Sequence, residues 1–161
     1  MTMRTHFAAL TFAAAAVSGC GHDQFAAKAG SDRFGLYYDD RGTDVALAYG
    51  RPHSDEVALM LLCQKGSGQV QVSDVVRRGP APTLVLTSGA GRTVLGARVQ
   101  SAESDAPAVL EAATALSAAG LAGLRRSGRM EVSYGAVRYW LKATSAEQQG
   151  VEQFFQACRT A

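Results

Sequence analysis

The stretch from Val57 to Cys63 reads Val-Ala-Leu-Met-Leu-Leu-Cys, an unbroken run of apolar residues. Turn-forming residues stand on both sides of it, and such a run predicts a central strand that is buried on both faces. Apolar and polar residues alternate after it, over residues 69–76, and before it, over residues 43–49. Because alternation is the period of a half-buried strand, the three segments predict neighbouring strands, two of them joined as a hairpin.

Two further hairpins are predicted in the second half of the chain. Each consists of two apolar-rich segments on either side of a glycine-containing turn, which is the usual signal for paired strands. The expected strands are residues 83–87, 93–100, 129–134 and 136–143.

A helix is predicted at the end of the chain, over residues 145–159. Ser145 and Gln148 have the spacing of a capping box at its start. Its apolar residues recur at helical spacing and form one stripe: Val151, Phe154, Phe155 and Cys158. We therefore expect this helix to pack on the sheet.

Residues 108–116 fit either a strand or the start of a long alanine-rich helix. Gly120 and Gly123 would each destabilise a long helix by up to about 1 kcal/mol. We therefore favour a strand at 108–114, followed by a helix at 118–127 that Ser117 caps. This order of elements predicts an α+β fold, a mostly antiparallel β-sheet with a short helix and a C-terminal helix packed on it.

The N-terminal residues have the layout of a secretory signal. Arg4 supplies a positive start, and residues 7–17 form an apolar run that is shorter than the roughly 20 residues needed to span a bilayer. The residues that end this segment, Val17-Ser18-Gly19-Cys20, resemble the lipobox of bacterial lipoproteins. The resemblance implies cleavage before Cys20 and acylation of that cysteine, with several acyl chains giving a stable anchor.

The resemblance to lipoproteins implies the organisation of the whole chain. Residues 1–19 are then the signal peptide, residues 20–33 the lipidated cysteine with a tether, and residues 34–161 a single periplasmic α+β domain. An Asp directly after the lipidated cysteine resembles the inner-membrane retention signal of Gram-negative lipoproteins. In this chain that position is Gly21. We therefore expect a cell-envelope protein that is held by its N-terminal lipid at the outer membrane, facing the periplasm.

The two remaining cysteines, Cys63 and Cys158, are predicted to form a disulfide. The expected compartment is oxidising, and two is the smallest even number of thiols. Cys63 ends a buried strand and Cys158 lies on the apolar stripe of the last helix, so both are expected to face one core. Two buried free thiols are the alternative. A metal site is not expected, since neither histidine of the mature chain has ligand spacing to a cysteine.

Charge and motifs argue against nucleic-acid binding and against catalysis. The net charge is +2, and the 16 basic and 14 acidic residues are interspersed, whereas a nucleic-acid binder concentrates its positive charge. We recognise no phosphate loop, nucleophile elbow or calcium loop. We therefore expect no enzyme, no catalytic residue and no cofactor. An enzyme would need a pocket that gathers Glu111, Glu131 or His53.

Basic residues cluster at two places, Arg77-Arg78 and Arg125-Arg126 with Arg129. Charged runs usually form solvated faces, and this is the expected role of both clusters. The functional alternative is contact with anionic headgroups or with an envelope polymer.

From Cys63 onward the chain resembles small, uncharacterised exported α+β proteins of Gram-negative bacteria. The resemblance is carried by the sequences LMLLCQKG, GLRRSGRMEV and VEQFFQACR, and it implies a fold and a disulfide without an activity. The function expected from the whole sequence is therefore a lipid-anchored binding or scaffolding protein that is not an enzyme. Its partner would be an envelope protein or polymer whose identity the sequence leaves open.

A second resemblance is to the membrane-bound lipoprotein inhibitors of c-type lysozyme. Residues 62–66 are similar to their cysteine-containing hairpin, and residues 133–135 with 139–143 are similar to their inhibitory hairpin region. Inhibition of a lysozyme-type enzyme is therefore the alternative function. It would require Tyr134, Arg138 and Tyr139 to form an exposed, protruding contact for the partner.

Overall fold

Ten strands and two helices are formed by the part of the chain that this computed structural model describes, residues 33–52, 54–76, 83–100 and 107–160. The strands are β1 (Gly35–Asp40), β2 (Asp44–Gly50), β3 (Val57–Gln64), β4 (Gln69–Val76), β5 (Thr83–Ser88), β6 (Gly91–Gly96), β7 (Arg98–Gln100), β8 (Ala108–Ala115), β9 (Arg129–Tyr134) and β10 (Val137–Lys142). The helices are α1 (Ala119–Ser127) and α2 (Ser145–Cys158). The predicted α+β class, mostly antiparallel with two packed helices, is confirmed.

The strands form two antiparallel sheets that enclose one core. The six-stranded sheet has the order β1-β2-β3-β4-β8-β7, and the four-stranded sheet has the order β10-β9-β5-β6. Residues directly opposite each other on paired strands point to the same side. One such row crosses the larger sheet, and all its members are buried: Leu47, Leu61, Val72 and Ala112. The inner face of the larger sheet therefore forms one wall of the core.

Strand β3 is buried mainly on one face, so the prediction of burial on both faces was wrong. Leu59, Leu61 and Cys63 are buried, whereas Met60 and Leu62 on the other face remain half-exposed. The reason is that only the inner side of the sheet faces the core, where Cys158 of α2 lies at disulfide distance from Cys63. The apolar run therefore reflects a central strand with only one fully covered face.

The predicted strand at 93–100 is two strands. Residues up to Gly96 pair with β5 in the smaller sheet, while β7 pairs with β8 in the larger one. The chain changes sheet at Ala97, next to a glycine, where small side chains permit a sharp bend. This corner links the two sheets.

The ambiguous segment forms strand β8, as favoured, and the following helix has a different start from the predicted one. Ala118 rather than Ser117 stands at the N-cap, and no side chain of the cap residue bonds to the helix. Instead, the Gly120 N–H donates to Thr93 Oγ1 of β6 at 3.0 Å. A Cβ at Gly120 would lie 2.6 Å from the Leu86 carbonyl oxygen. Glycine is therefore required here for close packing of α1 on β5.

The capping residues of α2 each lie one position earlier in the chain than predicted. Thr144 is the N-cap and forms a capping box with Glu147, in place of the predicted pair Ser145 and Gln148. The predicted apolar stripe is confirmed, because its four members are all buried: Val151, Phe154, Phe155 and Cys158. The Cα atoms of Cys63 and Cys158 are 5.9 Å apart and their sulfur atoms lie at disulfide distance, consistent with the predicted bridge.

Candidate ligand-binding site

A concavity of about 520 Å³ opens where the ends of the two sheets meet. We call it the aromatic pocket. It is lined by Phe34, Tyr49, Ala58, Asp74, Val75, Tyr134, Val137 and Tyr139. Four of these residues are aromatic and Asp74 is the one acidic residue. Most of the pocket wall is therefore apolar, with a single carboxyl group among its lining residues.

The position of each aromatic ring follows from strand ends that converge. Phe34 precedes β1, and Tyr49 is near the end of β2, which pairs with β1. Tyr134 ends β9, and Tyr139 is on the inner side of β10. The rings of Tyr49 and Tyr139 are stacked with centroids 6.3 Å apart, and Phe34 packs against Tyr49 at 5.6 Å. Such aromatic pairs hold one another in place without needing a ligand.

Asp74 is the buried polar group of the pocket, with only 1% of its surface exposed. Strand β4 places Val70, Val72, Asp74 and Val76 on its inner side, so that a carboxyl group occupies an otherwise apolar row. The Tyr139 hydroxyl donates a hydrogen bond of 2.5 Å to Asp74 Oδ2. The pair satisfies two polar groups that would otherwise be costly to bury.

The pocket changes the acidity of both partners. Burial raises the pKa of Asp74 to about 6, and the hydrogen bond from Tyr139 partly opposes this rise. Burial, followed by the negative charge of Asp74, raises the pKa of Tyr139 far above its usual value. At neutral pH, Asp74 is therefore a carboxylate that accepts a hydrogen bond from the protonated Tyr139 hydroxyl. A shifted buried acid in a concave site is a common mark of a functional position.

The three residues predicted for partner contact are separated by the structure. Tyr134 is buried at the end of β9, and Tyr139 contributes its ring and hydroxyl to the aromatic pocket. Arg138 is exposed on the opposite side of β10. Only two residues, Gly135 and Ala136, connect the two strands, so the hairpin end is short.

The remaining candidate residues lie elsewhere. Glu111 is on β8 and accepts a hydrogen bond from Gln100, while Glu131 faces outward from the other sheet. The structure therefore does not bring Glu111 and Glu131 into one pocket. Cys20, His53 and the Arg77-Arg78 pair lie outside the described residues.

Sequence reasoning missed Asp74, Phe34 and Tyr49 as site residues. A signal for Asp74 was present, because it interrupts the apolar alternation of residues 70–76 at an inward position. No comparable signal marks the two aromatic residues. They reach the pocket only because the start of β1 and the end of β2 lie beside the β9–β10 hairpin.

The described residues contain neither a cluster of metal-binding side chains nor a helix that could span a membrane. Within those residues, no group of three or more His, Cys, Asp or Glu side chains could hold a metal ion. Among the same residues, no helix has the length and apolar character needed to cross a bilayer.

Comparison of the chain with protein-family models, with curated proteins and with solved structures gave no match.

Proposed function

We propose that this chain is a lipid-anchored cell-envelope protein whose domain binds a small ligand in the aromatic pocket without transforming it. The observation that carries the proposal is the combination of aromatic walls with one buried carboxyl–phenol pair. Ligand sites are typically concave and mostly apolar, with a few polar groups that orient the ligand.

The chemistry of the walls favours a small organic cation with an apolar body. The faces of Tyr and Phe rings attract cations, and a carboxylate in the lining adds an opposite charge. Asp74, with a pKa of about 6, is mostly ionised at pH 7 and can accept a hydrogen bond or balance a positive charge. The apolar part of the ligand would contact Phe34 and Tyr49.

Binding rather than catalysis is supported by the pocket lining. Among the described lining residues, Asp74 is the one carboxylate, and no His, Cys or Lys accompanies it. Tyr139, whose pKa is strongly raised, keeps its proton at neutral pH. A general acid–base reaction needs partners poised near the working pH, and the second partner is missing from this lining.

The lipid anchor is supported by the Val17-Ser18-Gly19-Cys20 sequence. Mass spectrometry of the protein purified from its own membranes should show an acylated peptide that begins at Cys20. Cys20→Ser should leave the chain without that acyl mass. An unmodified peptide beginning at Met1 in the native protein would contradict the anchor.

Inhibition of a lysozyme-type enzyme is not favoured by the geometry. The alternative depends on a protruding Tyr134, Arg138 and Tyr139 contact, whereas both tyrosines line the pocket beneath a short turn. Lysozyme activity measured with and without the protein distinguishes the two functions. Inhibition that survives Asp74→Asn would support the alternative.

The ligand class can be tested by calorimetric titration with benzyltrimethylammonium and with its neutral isostere neopentylbenzene. We expect the cation to bind and to lose at least about tenfold in affinity in Asp74→Asn, since a tenfold change corresponds to about 1.4 kcal/mol of lost interaction. Asp55→Asn is the matched control, because Asp55 is an exposed acid outside the pocket. Ala58→Phe, which fills the pocket, should also abolish binding. Equal affinity for the two probes would exclude the proposed ligand class.

A further inference from the structure

The outer side of the smaller sheet carries basic residues from several elements. The pairing of β10 with β9 places Lys142 opposite Arg129 and Trp140 opposite Glu131. Glu131 is also opposite Thr87 of β5, and Thr87 is opposite Arg92 of β6. Opposite residues share a side, so these side chains belong to one surface. We call this surface, together with Arg126 at the end of α1, the basic face: Arg92, Arg126, Arg129, Arg138, Trp140 and Lys142.

Charge on the basic face is unbalanced. All five of its cationic residues are exposed, and among the residues that the structure describes the half-buried Glu131 is the one acidic side chain on this side of the sheet. The four ion pairs found among the described residues involve Arg41, Arg51, Lys65 and Arg125, none of which belongs to the basic face. The face therefore presents positive charge that the described part of the protein does not neutralise.

A concavity of about 550 Å³ lies at one end of the basic face. Arg126, Arg129 and Lys142 line it together with Trp140, and the rest of the lining is serine and glycine. No carboxylate is among its described lining residues. The site therefore suits an anionic group, and its size exceeds that of a single inorganic ion.

Exposed apolar side chains accompany the cations. Trp140 is 48% exposed, and Val94 on the same side is 52% exposed. Tryptophan is enriched where an apolar layer meets charged headgroups, because its ring is apolar and its N–H is polar. A surface that combines cations with an exposed indole thus matches the interface of an anionic bilayer.

We propose that the basic face docks the domain on the phosphate-bearing headgroups of an anionic phospholipid bilayer. The proposal rests on the lipid anchor of the proposed function. Residues 21–33 can extend at most about 45 Å, at about 3.5 Å per residue. The anchor would therefore keep the domain close to headgroups at a high effective concentration. A soluble anionic polymer has no such proximity and no apolar layer for Trp140 and Val94.

The test uses the lipidated full chain in vesicles, with Trp140 as the reporter. Trp140 is the one tryptophan in the sequence, so intrinsic tryptophan fluorescence reports on this face. We compare phosphatidylcholine vesicles with vesicles containing about one-third phosphatidylglycerol, both with brominated acyl chains that quench nearby indoles. Quenching should be at least about threefold greater in the anionic vesicles, and it should be lost near 1 M salt, where the Debye length is about 3 Å.

Two double variants separate the basic face from general charge. Arg129→Glu with Lys142→Glu should reduce quenching to the level in neutral vesicles while the chain still floats with them. Arg98→Glu with Arg159→Glu makes the same change in charge at two exposed residues outside the face and should retain quenching. Equal quenching in neutral and anionic vesicles, or equal loss in both variants, would overturn the proposal.

Failure of the anchor gives a different result from failure of the basic face. If the native chain carries no acyl groups, it will not float with neutral vesicles. That outcome would contradict the proposed anchor. Anionic vesicles added to that chain should still shift Trp140 emission to the blue, and the shift should be absent in Arg129→Glu with Lys142→Glu. Absence of any shift in the unaltered chain would overturn docking by this face.

Discussion

The two sides of strand β10 have opposite chemistry within a few residues of each other. Tyr139 and Leu141 point inward, where Tyr139 bonds to the buried Asp74 and Leu141 is fully buried. Arg138, Trp140 and Lys142 point outward and are exposed. Successive side chains of a strand alternate in direction, so one short segment contributes to both proposed binding sites.

The comparison shows how solvent access determines the role of a charge. On the inner side, one carboxyl group is tolerated because a phenol donates to it, and burial still raises its pKa to about 6. On the outer side, several cations remain without an ion-pair partner among the described residues, because water stabilises each of them. A one-residue shift in the pairing of β10 would exchange the two sets and destroy both sites.

The largest expected effect on stability is that of Leu141→Ala, and the outward Lys142 provides the comparison on the same strand. Leu141→Ala should lower the free energy of unfolding by about 2–5 kcal/mol, because it leaves a cavity in the core. Lys142→Ala should change it by less than about 0.5 kcal/mol, as is usual for exposed positions. Denaturant titration of both variants measures the difference. Similar values for the two variants would mean that β10 does not have the observed alternation.

Stability should fall as pH rises from about 4 to about 7 because of Asp74. Its pKa is raised from 3.8 to about 6 on folding, so the folded state holds a proton that the unfolded state has released. The stabilisation is complete below the pKa of Asp74 in the unfolded chain, and it is lost as the pH rises through the pKa in the folded protein. At about 1.4 kcal/mol per pKa unit, the change in the free energy of unfolding is up to about 3 kcal/mol. Urea titrations of the unaltered chain and of Asp74→Asn give this contribution as their difference. An identical pH dependence in the two proteins would exclude it.

A smaller effect is expected from Tyr139→Phe, which keeps the ring and removes the hydroxyl. We expect a loss of about 1–2 kcal/mol at pH 7, because a buried carboxylate then lacks its donor. The loss should shrink at pH 4, where Asp74 is protonated. The pKa of Asp74, followed by NMR, should rise above its present value, since the hydrogen bond from Tyr139 lowers it. Tyr37→Phe, outside the pocket, is the control and should leave that pKa unchanged.

An effect smaller than that of Tyr139→Phe is expected from Trp140→Ala on the outer side. Because Trp140 is 48% exposed, its removal should cost less than about 1 kcal/mol. Thermal unfolding followed by circular dichroism measures this. A loss as large as that of Leu141→Ala would show that the indole belongs to the core and would weaken its assignment to a docking surface.

Local patterns in the sequence predicted most of the strands and the buried stripe of α2, because alternation and helical spacing are properties of neighbouring residues, but they did not predict β1. The residues that cap the N-termini of the two helices were less predictable. Thr144 and Ser145 both suit an N-cap, and the position of α2 against the core decides between them. The start of α1 depends on Thr93, which is distant in sequence. A donor or acceptor supplied by another strand leaves no trace at the helix itself.

The sequence by itself determined the α+β class, the order of most elements and the two cysteines suited to pairing. The tertiary structure alone decided that residues 93–100 divide between two sheets and that Phe34, Tyr49, Asp74 and Tyr139 surround one pocket. The physical reason is the range of the interactions involved. Periodicity is imposed by the backbone within each element, whereas the pocket and the basic face arise from strand pairings between residues far apart in the chain.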